Sequence, residues 1–184
     1  MRLTALILAA CAALAVPLPA AALDTAAQQA LLAGPMKAFV FTADPAPVPQ
    51  DIAFADVNGT QARLGDFVGT PVLLNFWATW CAPCRAEMPS LDRLQAEMGG
   101  KLKVVTLATG RNTPEAVTRF FADAGVTSLP SYMDPRQEVS RAMGVLGLPV
   151  TVLIGADGVE IGRLIGDAEW DSPEALALIR AATE

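Results

Sequence analysis

In the second half of the chain, apolar stretches alternate with amphipathic ones. Residues 72–77 (VLLNFW) form an almost unbroken apolar run, which is typical of a strand buried on both faces of a sheet. Residues 83–98 instead repeat their large apolar side chains at helical spacing, and the pair Gly99-Gly100 follows, as at the end of a helix. The two patterns predict a strand that leads directly into a long amphipathic helix.

Further strands and helices follow from the same kind of pattern. The other predicted strands are residues 38–41, 52–56, 61–64, 103–108, 150–154 and 159–165, and the other predicted helices are residues 24–33, 113–124, 135–143 and 172–183. Turn signals at Asn58-Gly59 and Asp157-Gly158 join two pairs of strands into hairpins. Strand–helix–strand units followed by a hairpin and a helix predict an α/β domain, with a mixed central sheet and helices on both faces.

The N-terminal residues have the parts of an export signal. After Met1-Arg2, residues 3–23 carry no charge, two prolines interrupt the apolar stretch, and three alanines provide small residues at residues 20–22. A cleaved signal is favoured because prolines break a helix where a protease needs extended chain. An uncleaved membrane anchor and a lipoprotein signal at Cys11 stay open as alternatives. All three place the rest of the chain outside a bacterial cytoplasmic membrane.

Composition narrows the chemistry. Hydrophobic residues make up 53% of the chain and charged residues 17%, which excludes a disordered tail and allows a large core. Nineteen acidic against thirteen basic residues give a net charge of −6, so nothing favours a nucleic-acid surface. The chain has no histidine, which excludes c-type haem attachment, Cys₂His₂ zinc sites and histidine-based catalytic triads. We divide it into residues 1–22 (signal or anchor), 23–49 (short helix and proline-rich lead-in) and 50–184 (folded domain).

Two cysteines stand between the buried strand and the long helix. Cys81 falls at the helix N-terminus, where free N–H groups and the helix dipole favour a thiolate, and Cys84 follows one turn later. The loop that they close is too short for a useful structural disulfide, and a zinc or other metal site lacks its remaining ligands. We therefore favour a redox couple over an inert disulfide, with Cys81 exposed as nucleophile and Cys84 recessed. We predict no metal and no other cofactor.

Residues 75–89 (NFWATWCAPCRAEMP) resemble the active-site stretch of the TlpA-like extracytoplasmic thioredoxin-fold proteins, the TlpA/ResA/CcmG group of thiol-disulfide oxidoreductases. The resemblance implies a thioredoxin fold with an N-terminal β-hairpin extension and a helical insert. It also implies that Pro149 is the cis-proline that faces the disulfide, the alternative being a trans proline that opens a strand. The substrate-binding residues that we expect are Trp80, Pro83, Leu148 and Pro149.

Two departures from related patterns bear on the mechanism. Cytosolic thioredoxins carry a buried aspartate where this chain has Asn75, so that proton acceptor is missing. Glu87 matches a glutamate that extracytoplasmic relatives place near the cysteines, and we expect it to take the proton of Cys84. The alternative is a solvated acid on the first turns of the helix. Val150 stands where the cytochrome-c-maturation branch usually has a glutamate, which favours TlpA proper.

The resemblance implies a periplasm-facing reductase of protein disulfides. TlpA-like proteins reduce cysteine pairs in copper chaperones and in the copper subunit of respiratory oxidases, and a membrane thiol reductase would supply the electrons. One alternative is reduction of apocytochrome c, and another is a holdase or scaffold that binds thiol chains without turnover. A disulfide-forming oxidant usually has a histidine inside C-x-x-C, which Ala82-Pro83 lacks. Only the N-terminal segment is expected to contact the membrane.

Overall fold

Residues 23–183, which the computed structural model describes, contain one eight-stranded sheet and five α-helices. The strands in chain order are β1 (Phe39–Phe41), β2 (Ala53–Asp56), β3 (Gln61–Arg63), β4 (Val72–Trp77), β5 (Lys103–Thr109), β6 (Ser131–Asp134), β7 (Val150–Ile154) and β8 (Glu160–Ile165). The helices are α1 (Thr25–Leu31), α2 (Ala82–Met98), α3 (Pro114–Ala124), α4 (Glu138–Ala142) and α5 (Pro173–Thr183). The predicted leader, residues 1–22, lies outside the described residues. No helix in the described part has the length and apolar character needed to cross a bilayer.

The strands lie in the order β1-β8-β7-β4-β5-β6-β2-β3, so the sheet is mixed as predicted. The central strands β4, β5 and β6 are parallel, and every other neighbouring pair is antiparallel. Both predicted hairpins form, and the N-terminal one, β2–β3, extends the sheet beyond β6. Strand β6 was not predicted from the sequence. It has only four residues between Pro130 and Pro135, so its pattern is too short to read, and its pairing with β5 supplies the backbone partners.

The sheet separates two hydrophobic cores because alternate side chains of a strand face opposite sides. All six residues of β4 are buried, with Leu73 and Trp77 in one core and Leu74 and Phe76 in the other. The first core contains the apolar faces of α2, α3 and α5, and the second contains Val139 of α4. Helices therefore cover both faces, which confirms the predicted architecture. Asn75, between Leu74 and Phe76, faces the side that α2 covers, as its bond to that helix shows.

The proline-rich lead-in, residues 23–49, packs against the folded domain instead of forming a separate linker. Met36 and Phe39 are buried in the first core, and Val48 is buried in the second. Strand β1 pairs with β8 at the edge of the sheet, and the Val48 N–H donates a hydrogen bond of 3.0 Å to the carbonyl of Gly158. The proline-rich stretch consequently runs along the domain rather than away from it.

The loops that matter for chemistry lie together at one end of the central strands. The parallel strands β4 and β5 both end there, which brings the loop after Trp77 beside the loop after Thr109. Strand β7 runs in the opposite direction and begins at the same end, with Val150 paired to Phe76. The predicted cysteine pair and the predicted cis-proline are thus brought together by topology, although about 65 residues separate them in sequence.

The pairing of β1 with β8 depends on a glycine. A Cβ added to Gly162 would lie 2.6 Å from both Cε1 of Phe39 and the carbonyl oxygen of Val40, closer than atoms can pack. We predict that Gly162→Ala destabilises the domain by about 1–3 kcal/mol, because β1 must move to make room. Urea denaturation followed by circular dichroism measures the change.

A matched control is Gly100→Ala, because a Cβ there meets nothing within 4 Å. That change is expected to alter the free energy of unfolding by less than about 0.5 kcal/mol. Equal stability of the two variants would contradict the proposed packing of β1 on Gly162.

Candidate active site

The two cysteines form a disulfide at the start of α2. Cys81 is the N-cap of the helix, Cys84 lies in its first turn, and their Cα atoms are 5.3 Å apart. The Cys84 N–H donates to the sulfur of Cys81 at 3.4 Å, so the exposed end of the helix backbone points at this sulfur. A negative charge on Cys81 would be stabilised by that N–H and by the positive end of the helix dipole.

The two sulfurs differ in accessibility. Cys81 is 6% exposed and Cys84 is fully buried, so Cys81 is the more accessible of the two. The prediction of an openly exposed Cys81 is wrong in degree, because the side chain packs into the first core while the disulfide is closed. The exposed surface beside it belongs to its neighbours Trp80, which is 66% exposed, and Pro83.

The peptide bond between Leu148 and Pro149 is cis, so the alternative of a trans proline is wrong. Pro149 is buried and precedes Val150, the first residue of β7, which pairs with Phe76 near the end of β4 that leads to Cys81. Leu148 is partly buried and packs against the core that contains both cysteines. The chain before it is fully open to solvent at Leu146, a residue that the sequence analysis did not single out.

Glu87 lies one turn beyond Cys84 on α2 and is only 3% exposed. The alternative of a solvated helix acid is therefore wrong. One carboxylate oxygen accepts a hydrogen bond of 2.8 Å from the side-chain amide of Asn75. The other accepts 2.8 Å from the indole N–H of Trp170 and 3.3 Å from the backbone N–H of Ala168.

Burial and hydrogen bonding oppose each other at this carboxylate. Burial is the largest effect and raises the pKa of Glu87, since a charge is costly away from water, and the charge of Asp167 also raises it. The bonds from Trp170, Asn75 and Ala168 lower the pKa because they stabilise the charged form. The balance places the pKa of Glu87 at about 7, so the group can both accept and release a proton near neutral pH.

Asn75 provides a partner that suits either protonation state. Its side-chain N–H₂ donates to Glu87 at 2.8 Å and to the hydroxyl of Thr151 at 2.9 Å, while its amide oxygen has no partner among the described residues. If the amide turned over, the oxygen would accept a hydrogen bond from a protonated Glu87, and the hydroxyl of Thr151 would donate instead of accept. An asparagine at this place therefore tolerates a proton arriving on Glu87, although it cannot titrate itself.

Sequence reasoning missed the residues that hold Glu87 from the other side. Trp170 is fully buried in the segment between β8 and α5, about 80 residues from Glu87, and no motif marks it. Its backbone N–H donates to the hydroxyl of Ser90 at 3.0 Å, and that hydroxyl donates to the carbonyl of Glu87 at 2.7 Å. At the surface, Arg93 pairs with Asp171. Successive turns of α2 thus fix this segment against the helix.

The chain is similar to known thiol-disulfide proteins. The family model Redoxin matches residues 37–179. Thiol-disulfide oxidoreductase ResA of Geobacillus thermodenitrificans is 37% identical over 108 residues, which cover 59% of this chain and 62% of ResA. The chain therefore aligns with less than two thirds of the length of that relative.

Solved structures extend the similarity to the fold. A protein named as thiol:disulfide interchange protein DsbE from Chlorobium tepidum superposes with a TM-score of 0.67 at 29% identity, covering 77% of this chain and 99% of that one. A secreted thiol-disulfide isomerase from Corynebacterium glutamicum gives 0.66 at 25% identity, covering 78% and 92%. These neighbours confirm the thioredoxin fold that the active-site string predicted.

The raised pKa of Glu87 makes stability depend on pH. Between the ordinary pKa of 4.5 and about 7, the folded protein keeps the proton that the unfolded chain has lost, so stability falls as the pH rises through this window. We predict a loss of about 3 kcal/mol between pH 4 and pH 8 that is specific to this residue. Denaturation of the oxidised protein across this range, for the wild type and for Glu87→Gln, measures it.

Glu87→Gln serves as the reference because its side chain has the same size and does not titrate, and Asn75 can turn its amide oxygen toward the new amide. The stability of the variant should change less with pH than that of the wild type. Parallel curves for the two proteins would show that Glu87 has an ordinary pKa in the folded state.

Proposed function

The chain belongs to the Redoxin family, and we propose that it is a thiol-disulfide oxidoreductase that reduces protein disulfides through Cys81 and Cys84. The observation that carries the proposal is the disulfide at the N-terminus of α2 with the buried carboxylate of Glu87 one turn behind it. The resemblance of residues 75–89 and the similarity to ResA, which is named a thiol-disulfide oxidoreductase, support the same class of reaction.

The reaction begins from the reduced pair. The thiolate of Cys81 attacks one sulfur of a substrate disulfide, so a bond forms between Cys81 and the substrate and the substrate S–S bond breaks. The thiolate of Cys84 then attacks the sulfur of Cys81, which closes the Cys81–Cys84 disulfide and releases the second substrate thiolate. Two electrons pass from the cysteine pair to the substrate, whose thiolates take up protons. A membrane thiol reductase would return the pair to the dithiol state.

Glu87 acts in the second step. Cys84 is fully buried, so its proton cannot leave directly to bulk water, and Glu87 is the buried acid one helical turn away. Ionised Glu87 accepts the proton of Cys84, either directly or through a water molecule, and becomes neutral. A pKa of about 7 suits this role because the group is partly ionised at neutral pH and can later release the proton.

Substrate contact falls to the surface around Cys81. Trp80 and Pro83 flank it and are exposed. Leu148 and Pro149 precede β7 at the same end of the central strands. An extended substrate segment would lie across these residues with its disulfide above Cys81. They are apolar or nearly so, which suits a surface that must accept a cysteine from another protein.

The proposed place of action is the bacterial periplasm. The export pattern of residues 1–22 and the secreted isomerase among the structural neighbours both support it. Within that compartment we propose substrates of copper-site assembly for respiratory oxidases, namely a copper chaperone or the oxidase copper subunit. The support is Val150, a buried aliphatic residue where the cytochrome-c-maturation branch carries a glutamate.

Trapping the mixed disulfide tests the function and names the substrate. In Cys84→Ala the second step cannot occur, so the protein should accumulate disulfide-linked complexes through Cys81 when it is expressed in its native cell envelope. Mass spectrometry of the linked partners distinguishes copper-site proteins from apocytochrome c.

Cys81→Ala, which removes the attacking sulfur, is the matched control and should trap nothing. A holdase that binds thiol chains without turnover would instead hold the same partners noncovalently, so they would copurify with both variants without a disulfide link. That result would contradict the proposed reductase.

Glu87→Gln tests the proton transfer. We predict that resolution of the mixed disulfide slows by about 100- to 10,000-fold at neutral pH, because the general base is lost. The first step, attack by Cys81, should change far less. Stopped-flow measurement of both steps across the pH range separates them.

Trp170→Phe provides an intermediate variant, since it keeps an aromatic ring but removes one donor to the carboxylate. Its pH midpoint for resolution should lie above that of the wild type, because the charged form of Glu87 loses a hydrogen bond. Identical pH profiles for all three proteins would mean that solvent, and not Glu87, takes the proton.

A further inference from the structure

A cavity of about 570 Å³ opens beside the active site. It is lined by Trp80, Gly110, Arg111, Pro135 and Gln137. Trp80 adjoins Cys81 in the chain, while the other lining residues come from the loop after β5 and from the turn between β6 and α4. One wall of the cavity is therefore the residue that directly precedes the attacking cysteine.

Hydrogen bonds between neighbouring loops hold the walls of this cavity in place. The side-chain oxygen of Asn112 accepts 2.8 Å from the backbone N–H of Thr79 and 2.9 Å from its hydroxyl, which ties the Trp80 loop to the Arg111 loop. The carbonyl of Asp134 accepts the N–H groups of both Gly110 and Gln137 at 3.0 Å. The loops after β4, β5 and β6 are thus joined into one frame.

One residue in this frame has a strained backbone conformation. Gln137 has a φ of 57°, which makes it the one non-glycine residue with a positive φ in the part of the chain that the structure describes. The left-handed conformation costs free energy for an ordinary side chain, and such residues concentrate where function requires a set geometry. The carboxylate of the buried Asp134 supports the turn by accepting the N–H groups of Glu138 and Ser140.

The cavity presents hydrogen-bond donors that nothing in the described chain uses. Within residues 23–183, the guanidinium of Arg111 has no carboxylate or hydrogen-bond partner, and neither has the side-chain amide of Gln137. Both residues are exposed. The other wall is Trp80, whose ring can pack against a peptide. An arginine fork, an amide and an aromatic face together fit a carboxylate carried on a polypeptide.

We propose that this cavity binds an acidic side chain of the substrate protein close to its reactive cysteine, with Arg111 as the principal contact and Gln137 as a second donor. The inference rests on the proposed function and adds a substrate preference to it. The acid would enter between Trp80 and Arg111 while the substrate sulfur lies above Cys81. Because the chain as a whole is acidic, with a net charge of −6, a local arginine is what allows an acidic segment to approach.

The test uses short peptides that contain one disulfide and differ in a single neighbouring residue. Glutamate is placed at each position around the attacked cysteine in turn, and the same peptides are made with glutamine and with lysine. We expect one or more glutamate peptides to be reduced with a kcat/KM about five- to tenfold above their glutamine counterparts, as a charge-assisted hydrogen bond provides. Arg111→Gln should remove the preference, and Arg111→Glu should reverse it in favour of lysine.

Arg119→Gln is the matched control. Arg119 is an exposed arginine on α3 that does not line the cavity, so its removal changes the net charge equally and should leave the glutamate preference intact. Equal kcat/KM for all peptides in the wild type, or a preference that survives Arg111→Gln, would overturn the inference. If no peptide at all is reduced, the failure belongs to the proposed reductase itself, so the two outcomes are distinguishable.

Discussion

The feature on which the active site depends is a carboxylate buried on the same helix as the disulfide, one turn after it. Removing an acid from water is unfavourable unless its oxygens find donors, and Glu87 finds three, from Asn75, Trp170 and Ala168. These donors come from β4 and from the segment before α5, while Glu87 itself lies on α2. The helix that carries the cysteines is therefore held at a defined height above the sheet by a polar contact inside an apolar core.

That contact is a compromise that leaves the group able to react. Full compensation by positive charge would keep Glu87 ionised at every relevant pH, and no compensation would keep it neutral. Three neutral donors against deep burial give a pKa of about 7. The unpartnered amide oxygen of Asn75 fits this picture, because a group that alternates between acceptor and donor needs a neighbour that can do the same. A titrating aspartate at that position would add a second charge to the same site.

The sheet supplies the other constraint, which is location. The parallel strands β4 and β5 end at one end of the sheet, and the antiparallel strand β7 begins there. The cysteine loop, the Arg111 loop and the cis-proline therefore meet, although no local sequence signal joins them. Hydrogen bonds from Thr79 to Asn112 and from Gly110 and Gln137 to Asp134 then fix the loops relative to one another. A fixed frame suits the proposed reductase, which must position an attacking sulfur, since misplacement of the reacting atoms lowers the rate steeply.

The sequence by itself determined the family, the mixed sheet with helices on both faces and the cysteine pair, because each rests on local information. An unbroken apolar run marks the buried β4, helical spacing marks α2, and the string around Cys81 and Cys84 is specific enough to indicate the thioredoxin fold. The family and the fold are confirmed by the Redoxin match and by the superposed structures. Strand β6 was not predicted, because four residues between two prolines are too few to show a periodic pattern.

Only the tertiary structure decided whether Glu87 is a surface acid or a buried one. Its position on α2 is compatible with either, and the choice depends on Trp170, a residue about 80 positions away that no pattern connects to it. The same holds for the cavity beside Trp80, whose walls come from three loops, and for the limited exposure of Cys81. Contacts between distant segments arise from how strands pair and helices pack, and periodicity along the chain describes one segment at a time.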